Sequence, residues 1–208
     1  MIHDGHNVGI LKTFTKHINI DEVNVLLELG ARDGLYTKEF LDFYKPTILH
    51  SIDANPELTE IILNNQKDLA NVKYTNIALS DTIGNVDFWV HPDQGSSSLY
   101  KHPKDYNRKI TVEATTLDKF CSDNNLTSID LIMADVEGAE AQIFKNQEIL
   151  KTVKYIITEV KFEPSWKGLE FPGIDKLEEA LEPAGFKLIE TLYHPSKYFG
   201  DQLWIREK

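Results

Sequence analysis

The chain of 208 residues has one cysteine, Cys121. A lone thiol excludes an intramolecular disulfide and any cluster of cysteine ligands around zinc. No apolar run approaches the ~18 residues of a membrane span, and the N-terminus lacks a signal-peptide core, so a cytoplasmic protein is expected. Basic residues are few: 22 Lys+Arg stand against 33 Asp+Glu, a net charge of −11. Binding a nucleic-acid backbone needs a positive face, so no nucleic-acid partner is expected. There is no internal repeat, low-complexity tract or interdomain linker. What is present suffices for a core, because 41% of residues are hydrophobic and 26% charged, close to the globular norm. One domain over 23–208 is expected, preceded by a helical arm over 1–22 in which Val8, Leu11, Phe14 and Ile18 recur at helical spacing.

Short apolar runs alternate with helix-like segments. Val25–Leu29, Ile48–Asp53, Val72–Ala78, Asp130–Asp135 and Tyr155–Val160 read as strands buried on both faces. Helices are expected over Thr37–Phe43, over Pro56–Asn65 behind an Asn55 cap, and over Asp175–Ala184. This β-α-β-α-β order predicts an α/β fold with a parallel sheet. Asn85–Val90 alternates and reads as an extra strand. Phe186–Leu192 and Gln202–Arg206 are joined by a linker too short for a helical crossover, so that last pair is expected to be antiparallel.

The strongest local signal is E-L-G-A-R-D-G, residues 28–34. An apolar strand ends at Glu28, and Gly30 and Gly34 bracket a tight turn into a helix. Glycine lets backbone approach a ligand, and a helix start offers free N–H groups. The turn lacks the G-x-G that a dinucleotide pyrophosphate needs. The next strand ends in Asp53, where a carboxylate can accept two hydrogen bonds from a ribose diol. An acidic rim of Glu28 and Asp53 suits a cofactor with a sulfonium and an amino group, which favours S-adenosylmethionine over NAD. A-L-S-D, residues 78–81, follows the third strand, where a sheet of this kind covers an adenine.

The most distinctive stretch is D-L-I-M-A-D-V-E-G-A-E, residues 130–140. Asp135, Glu137 and Glu140 crowd a strand end, which is costly unless a cation or hydrogen bonds offset the repulsion. Together with E-L-G-A-R-D-G (28–34), S-I-D-A-N-P-E (51–57), A-L-S-D-T-I-G (78–84), G-S-S-S-L (95–99) and T-T-L-D-K-F (115–120), the D-V-E-G-A-E of 135–140 completes an ordered set that resembles the FkbM-type S-adenosylmethionine-dependent methyltransferases. The resemblance runs from about Leu26 to Val160. It implies a class I, Rossmann-like, seven-stranded sheet, mostly parallel with an antiparallel C-terminal pair, and O-methylation of a sugar hydroxyl on a glycan or glycoside. Around the cofactor the expectation is Glu28, Gly30, Ala31, Asp33, Asp53, Ala54, Ala78, Leu79, Ser97 and Asp135. Two positions depart from the family pattern. Met133 stands where lysine is usual, and T-E-V-K-F carries Glu159 and Lys161 where glutamate is often followed by histidine, so no histidine base is carried over.

A sugar hydroxyl is a weak nucleophile, so a base or a metal is needed. Asp135 and Glu159 end adjacent strands and could share Mg²⁺ or Mn²⁺, or could orient the acceptor without metal. Lys161, His194 and His102 are the base candidates, with Asp135 and Glu159 beside them in the catalytic set. A lysine base requires a pKa lowered by burial or a nearby cation. The connection 91–113 and the loop 162–173 are the expected acceptor-binding segments, with Ser98, Tyr100, Glu137 and Trp166 as substrate residues and a carbohydrate as partner. A small-molecule or peptide methyltransferase and a cofactor-binding pseudoenzyme are the competing readings.

Overall fold

The computed structural model describes residues 12–101, 108–162, 174–196 and 198–207. The strands are β1 (Val25–Leu29), β2 (Ile48–Asp53), β3 (Val72–Asn76), β4 (Ala78–Leu79), β5 (Gly84–Val90), β6 (Arg108–Thr115), β7 (Leu131–Ala134), β8 (Tyr155–Lys161), β9 (Phe186–Tyr193) and β10 (Phe199–Arg206). The helices are α1 (Leu35–Tyr44), α2 (Thr59–Gln66), α3 (Leu117–Asp123), α4 (Glu140–Phe144) and α5 (Ile174–Leu181). The main sheet runs β3-β2-β1-β7-β8-β10-β9. Its first five strands are parallel, and β10 is antiparallel to both β8 and β9. This is the class I methyltransferase sheet, and the antiparallel C-terminal pair is present as expected.

Side chains alternate between two covered faces. Leu26, Leu131, Met133, Ile157 and Leu203 pack with Phe14, Ile18, Phe40 and Tyr44. Leu27, Ile132, Ile156 and Trp204 pack with Leu117, Phe120, Phe144 and Leu181 on the other side. Burial on both faces is why these strands are apolar throughout. At the far end of the sheet, Asp130 Oδ2 accepts from the Asn24 and Val25 amides at 2.8 and 2.9 Å, and Asp130 Oδ1 lies 2.7 Å from Lys154 Nζ. One carboxylate thus aligns the starts of β1, β7 and β8.

Three expectations change. The run Val72–Ala78 is not one strand: Ile77 N donates to Asp53 O at 3.1 Å, and the chain then leaves the main sheet. Ala78–Leu79 pairs instead with Ala114–Thr115 in a second sheet of order β4-β6-β5. The connection 91–113 is correspondingly shorter, because residues from Arg108 onward form β6 against β5. Val112 and Ala114 bury beside Phe88 and Val90. Finally, α3 adds a helix to the expected set. Thr116 caps α3 by accepting from Lys119 N at 3.2 Å.

His50 on β2 is fully enclosed, and neither ring nitrogen has a hydrogen-bond partner among the described residues. Its ring meets Phe120 edge-on at 5.7 Å. Burial, aided by Lys73, pushes its pKa down to about 4. The folded state therefore holds His50 neutral while the unfolded chain takes up a proton below about pH 6.5, so stability is lost as pH falls from there toward 4. The loss from this group is roughly 3 kcal/mol. A His50→Leu variant is expected to resist urea better than the parent, with an advantage that grows between pH 7 and pH 4.5. An advantage independent of pH would show that the ring is not held neutral.

Candidate active site

The site lies at the C-terminal edge of the parallel strands, where open α/β sheets bind ligands. Gly30 has φ 88°, and a Cβ there would fall 1.9 Å from the Asp135 carbonyl oxygen. The glycine is needed because the ends of β1 and β7 press together: the close approach is to protein backbone, where the sequence suggested ligand. Asp135 N donates to Leu29 O at 3.0 Å in the same crossing. Asp53 ends β2, nine-tenths buried. Its Oδ2 accepts from Arg32 N and its Oδ1 from Asn55 N, each at 2.8 Å. Burial raises its pKa to about 6 despite those two donors. Each carboxylate oxygen keeps a lone pair for a further donor.

Between these two carboxylates runs a cleft of about 580 Å³, counting its open mouth. Ile52, Ile77, Leu79, Phe88, Leu99, Val136 and Ile143 give it apolar walls, with Gly30, Asp53, Ala54, Ala78, Ser97, Asp135 and Glu137 also lining it. Its lining suits a small cofactor: apolar walls for an adenine, Asp53 for a diol, and an acidic end for a cation. The walls are braced from outside. Gln142 on α4 donates to Ser80 Oγ at 3.0 Å and Asp81 Oδ1 at 2.7 Å, and accepts from the Tyr100 hydroxyl at 3.0 Å. Ser98 Oγ donates to Glu137 O at 2.7 Å. A side chain at Gly95 would meet the Arg32 guanidinium at 2.8 Å, so Arg32 and the 91–97 segment close over the mouth.

Not every expected residue joins the cleft. Glu28 points away, into a buried network in which Thr37 Oγ1 donates to its Oε2 at 2.6 Å and Gln66 bridges Thr37 and Ser51. Burial, opposed by the Thr37 and Ser51 hydroxyls, raises its pKa to about 7. Ala31 is buried against Leu58 and Ile62, and its N–H is spent on Ile52 O. Asp33 caps α1 by accepting from Leu35 N at 3.2 Å. Ser98 is occupied by Glu137, and Tyr100 lines a neighbouring groove beside Gln142. His194 sits in the β9–β10 turn, stacked on Phe199 at 4.1 Å. Trp166 and His102 lie outside the described residues.

Asp135, Glu137 and Glu159 converge: each offers a carboxylate oxygen within 4.8 Å of the others. The D-V-E-G turn makes this possible, with Glu137 at φ 57° and Gly138 at φ 101°. Glu140 is buried and folds back to accept from Val136 N at 3.1 Å, and burial raises its pKa. The Lys161 ammonium touches Glu137 and lies 3.7 Å from Glu159. Burial alone would depress the lysine, but Glu137 and Glu159 outweigh it and hold the pKa above the usual range. That reverses the expectation for a lysine base. Enclosure raises the pKa of Asp135 and of Glu159, joined by the charges of Glu137 and Glu140 for Asp135 and of Asp135 and Glu137 for Glu159. Asp135 opens onto the cleft, so water tempers the effect there, while Glu159 is more enclosed.

A second, smaller pocket adjoins the cleft and shares Leu29, Gly30 and Asp135 with it. Glu28, Glu159, Asp201, Tyr36 and Phe40 complete its polar and aromatic lining. Asp201 is not among the sequence candidates because the last strand is expected to begin only at Gln202, whereas β10 begins at Phe199 and includes it. Its antiparallel register opposite Glu159 is what brings it in.

Comparison with known proteins bears on the family and the fold. A family model described as the methyltransferase FkbM domain matches residues 28–188. The 2-O-methyltransferase NoeI of Sinorhizobium fredii is 29% identical over 162 residues, covering 69% of this chain and 66% of that protein, just under two-thirds of its length. Among solved structures, the fibrillarin pre-rRNA processing protein of Methanococcus jannaschii superposes with TM-score 0.57 at 18% identity, over 91% of this chain and 69% of that one. The TrmK structure from M. capricolum, solved with S-adenosyl-homocysteine, gives TM-score 0.58 at 11% identity, over 96% and 68%. At such identities these two structures support the fold alone.

Asp53→Asn keeps an acceptor for one backbone amide but removes the charge offered to a diol. S-adenosylhomocysteine affinity, measured by calorimetric titration, is expected to fall about tenfold or more while the thermal midpoint shifts little. Unaltered affinity in the folded variant would remove Asp53 from the cofactor site.

Proposed function

The chain belongs to the FkbM methyltransferase family, and we propose that it is an S-adenosylmethionine-dependent O-methyltransferase acting on a sugar hydroxyl, on a terminal deoxyhexose of a glycan such as rhamnose or fucose. The observation that carries this reading is the meeting of two pockets at Leu29, Gly30 and Asp135. One suits a nucleoside cofactor. The other offers carboxylates that accept hydrogen bonds from hydroxyls, and aromatic rings that pack on C–H faces. Such a lining repels phosphate and carboxylate acceptors and favours neutral polyhydroxyl ones. We further propose that residues 23–208 act as one domain in the cytoplasm. No helix among the described residues is long and apolar enough to cross a membrane.

In this mechanism Asp53 holds the ribose diol and the apolar walls flank the adenine. Asp135 and Glu137 face the cationic end. S-adenosylmethionine, when bound, supplies the electrophilic methyl group. Glu159, lifted above the ordinary carboxylate range, accepts the acceptor's hydroxyl proton, since a base works best with a pKa near the operating pH. Lys161 stays protonated and offsets the crowded carboxylates. Asp135, Glu137 and Glu159 are also an all-oxygen donor set suited to Mg²⁺ or Mn²⁺. A divalent ion there would displace the Lys161 ammonium from Glu137.

Mass-spectrometric detection of methylated product with a panel of deoxyhexose-terminated glycans tests the whole reading. Product only on peptides or small aglycones, or cofactor binding with no product at all, would replace it. Loss of a general base costs ~10²–10⁴ in rate, so Glu159→Gln is expected to lower the turnover number at least a hundredfold with S-adenosylhomocysteine affinity held. Lys161→Met should retain turnover within about tenfold of the parent, as expected for an offsetting charge and not a proton acceptor. The opposite ranking would return the base role to Lys161. Turnover that stops with chelator and returns with Mg²⁺ would establish the metal. Full turnover in excess chelator would leave the cation's place to Lys161.

A further inference from the structure

A helix start behind a glycine turn ordinarily binds an anion through free N–H groups. In the turn after β1 those groups are spent. Gly30 N and Ala31 N both donate to Ile52 O, at 2.9 and 3.1 Å, and Gly34 N donates to Ala31 O at 2.8 Å. Asp53 takes Arg32 N, and Asp33 takes Leu35 N. The rest of the cleft is hostile to an anion, because it is lined by the carboxylates of Asp53, Asp135 and Glu137. Arg32 is the one basic residue among the described residues that line it. Its side chain is exposed, and no ion pair or side-chain hydrogen bond holds it among the described residues. The Arg32 backbone is left-handed, with φ 55°, a region unfavourable for an L side chain. The guanidinium lies against Gly95, where a Cβ would fall 2.8 Å from its Cζ and Nε and 3.1 Å from its Nη2. Glycine at 95 thus leaves the space that the guanidinium occupies at the mouth. The segment behind it is ordered by its own bonds: Asp93 Oδ1 accepts from Ser96 N, and Ser97 Oγ donates to Gln94 O, each at 2.9 Å. The outcome is an unpaired cation, backed by a braced segment, at the edge of an acidic cleft.

We propose that Arg32 binds the carboxylate of the cofactor's amino-acid tail and so determines which adenosyl compounds the cleft accepts. The inference rests on the S-adenosylmethionine reading above. That cofactor carries one anionic group, its α-carboxylate, beside a sulfonium and an ammonium. Asp135 and Glu137 attract the two cations and repel the carboxylate, so the tail needs a positive partner of its own. A guanidinium meets that need, because its paired N–H donors match both oxygens of a carboxylate. Placement agrees. Arg32 N is bonded to Asp53, the proposed diol acceptor, so the guanidinium and the ribose site belong to one turn. A short chain through the sulfur joins ribose to carboxylate in the cofactor, and one turn can serve both. An adenosyl compound that lacks the carboxylate brings an amine to the cleft with nothing to pair with Arg32, and is selected against.

The test uses the full chain as parent, as Arg32→Met, which keeps a long stem without the charge, and as Arg32→Lys, which keeps the charge without the fork. Each is titrated calorimetrically with S-adenosylhomocysteine and with its decarboxylated analogue, which retains the adenosine, the thioether and the amine. The parent is expected to favour S-adenosylhomocysteine about tenfold or more. Arg32→Met should lose that preference by weakening S-adenosylhomocysteine alone, with the analogue bound as well as before or better. Arg32→Lys should recover part of it. A preference that survives in Arg32→Met, or is missing in the parent, overturns the assignment. Equal weakening of both ligands also overturns it, since Arg32 would then act only by packing against Gly95. The Asp53→Asn titration keeps the two readings apart: a cofactor site that depends on Asp53 but not on Arg32 retains the cofactor and loses this inference. A parent that binds neither ligand overturns both.

Discussion

The contact between Gly30 and the carbonyl of Asp135 is the constraint from which the rest of the site follows. With no room for a side chain between them, the ends of β1 and β7 are drawn together at the middle of the sheet. The cofactor cleft opens on one side of this crossing and the carboxylate pocket on the other, and both use Leu29, Gly30 and Asp135 as a wall. A larger residue at position 30 would part the strands and separate the pockets. The left-handed backbone at Gly30 adds its own penalty for any other residue.

Electrostatics at that crossing are arranged around crowding. Asp135, Glu137 and Glu159 are gathered by a left-handed turn and a neighbouring strand, and Glu140 and Asp201 add further negative charge. Lys161 is held charged by the same acids that its ammonium relieves. This mutual bias leaves Asp135 and Glu159 easier to protonate than usual and the lysine harder to deprotonate. In the proposed mechanism this bias gives proton acceptance to a carboxylate and charge compensation to the lysine.

The surrounding segments serve to hold these groups. The Gln142 amide ties α4, the Ser80–Asp81 turn and Tyr100 together, and Ser98 secures the carbonyl of Glu137. Neither side chain lines the cofactor cleft, yet each supports a wall that does. Rigid support of this sort keeps functional groups within the narrow geometric tolerance that methyl transfer requires.

The α/β class, the parallel strands and the antiparallel final pair were legible from residue order alone, because burial on both faces and linker length are written locally as apolar runs and residue spacing. The sequence also marked Gly30, Asp53 and Asp135, since strand-end glycines and carboxylates are visible as motifs. Other features depended on pairing between distant segments, which carries no local mark. Ala78–Leu79 left the main sheet because Ile77 bonded to Asp53 and β6 offered a partner. Glu28 turned toward Thr37, although its place in the motif pointed to the cofactor. Asp201 reached the acid pocket only through its register opposite Glu159. Whether Lys161 gains or loses its proton was likewise decided by tertiary structure, because a pKa is the balance of burial against every nearby charge, and Glu137 is brought to that lysine by the fold from 24 residues away.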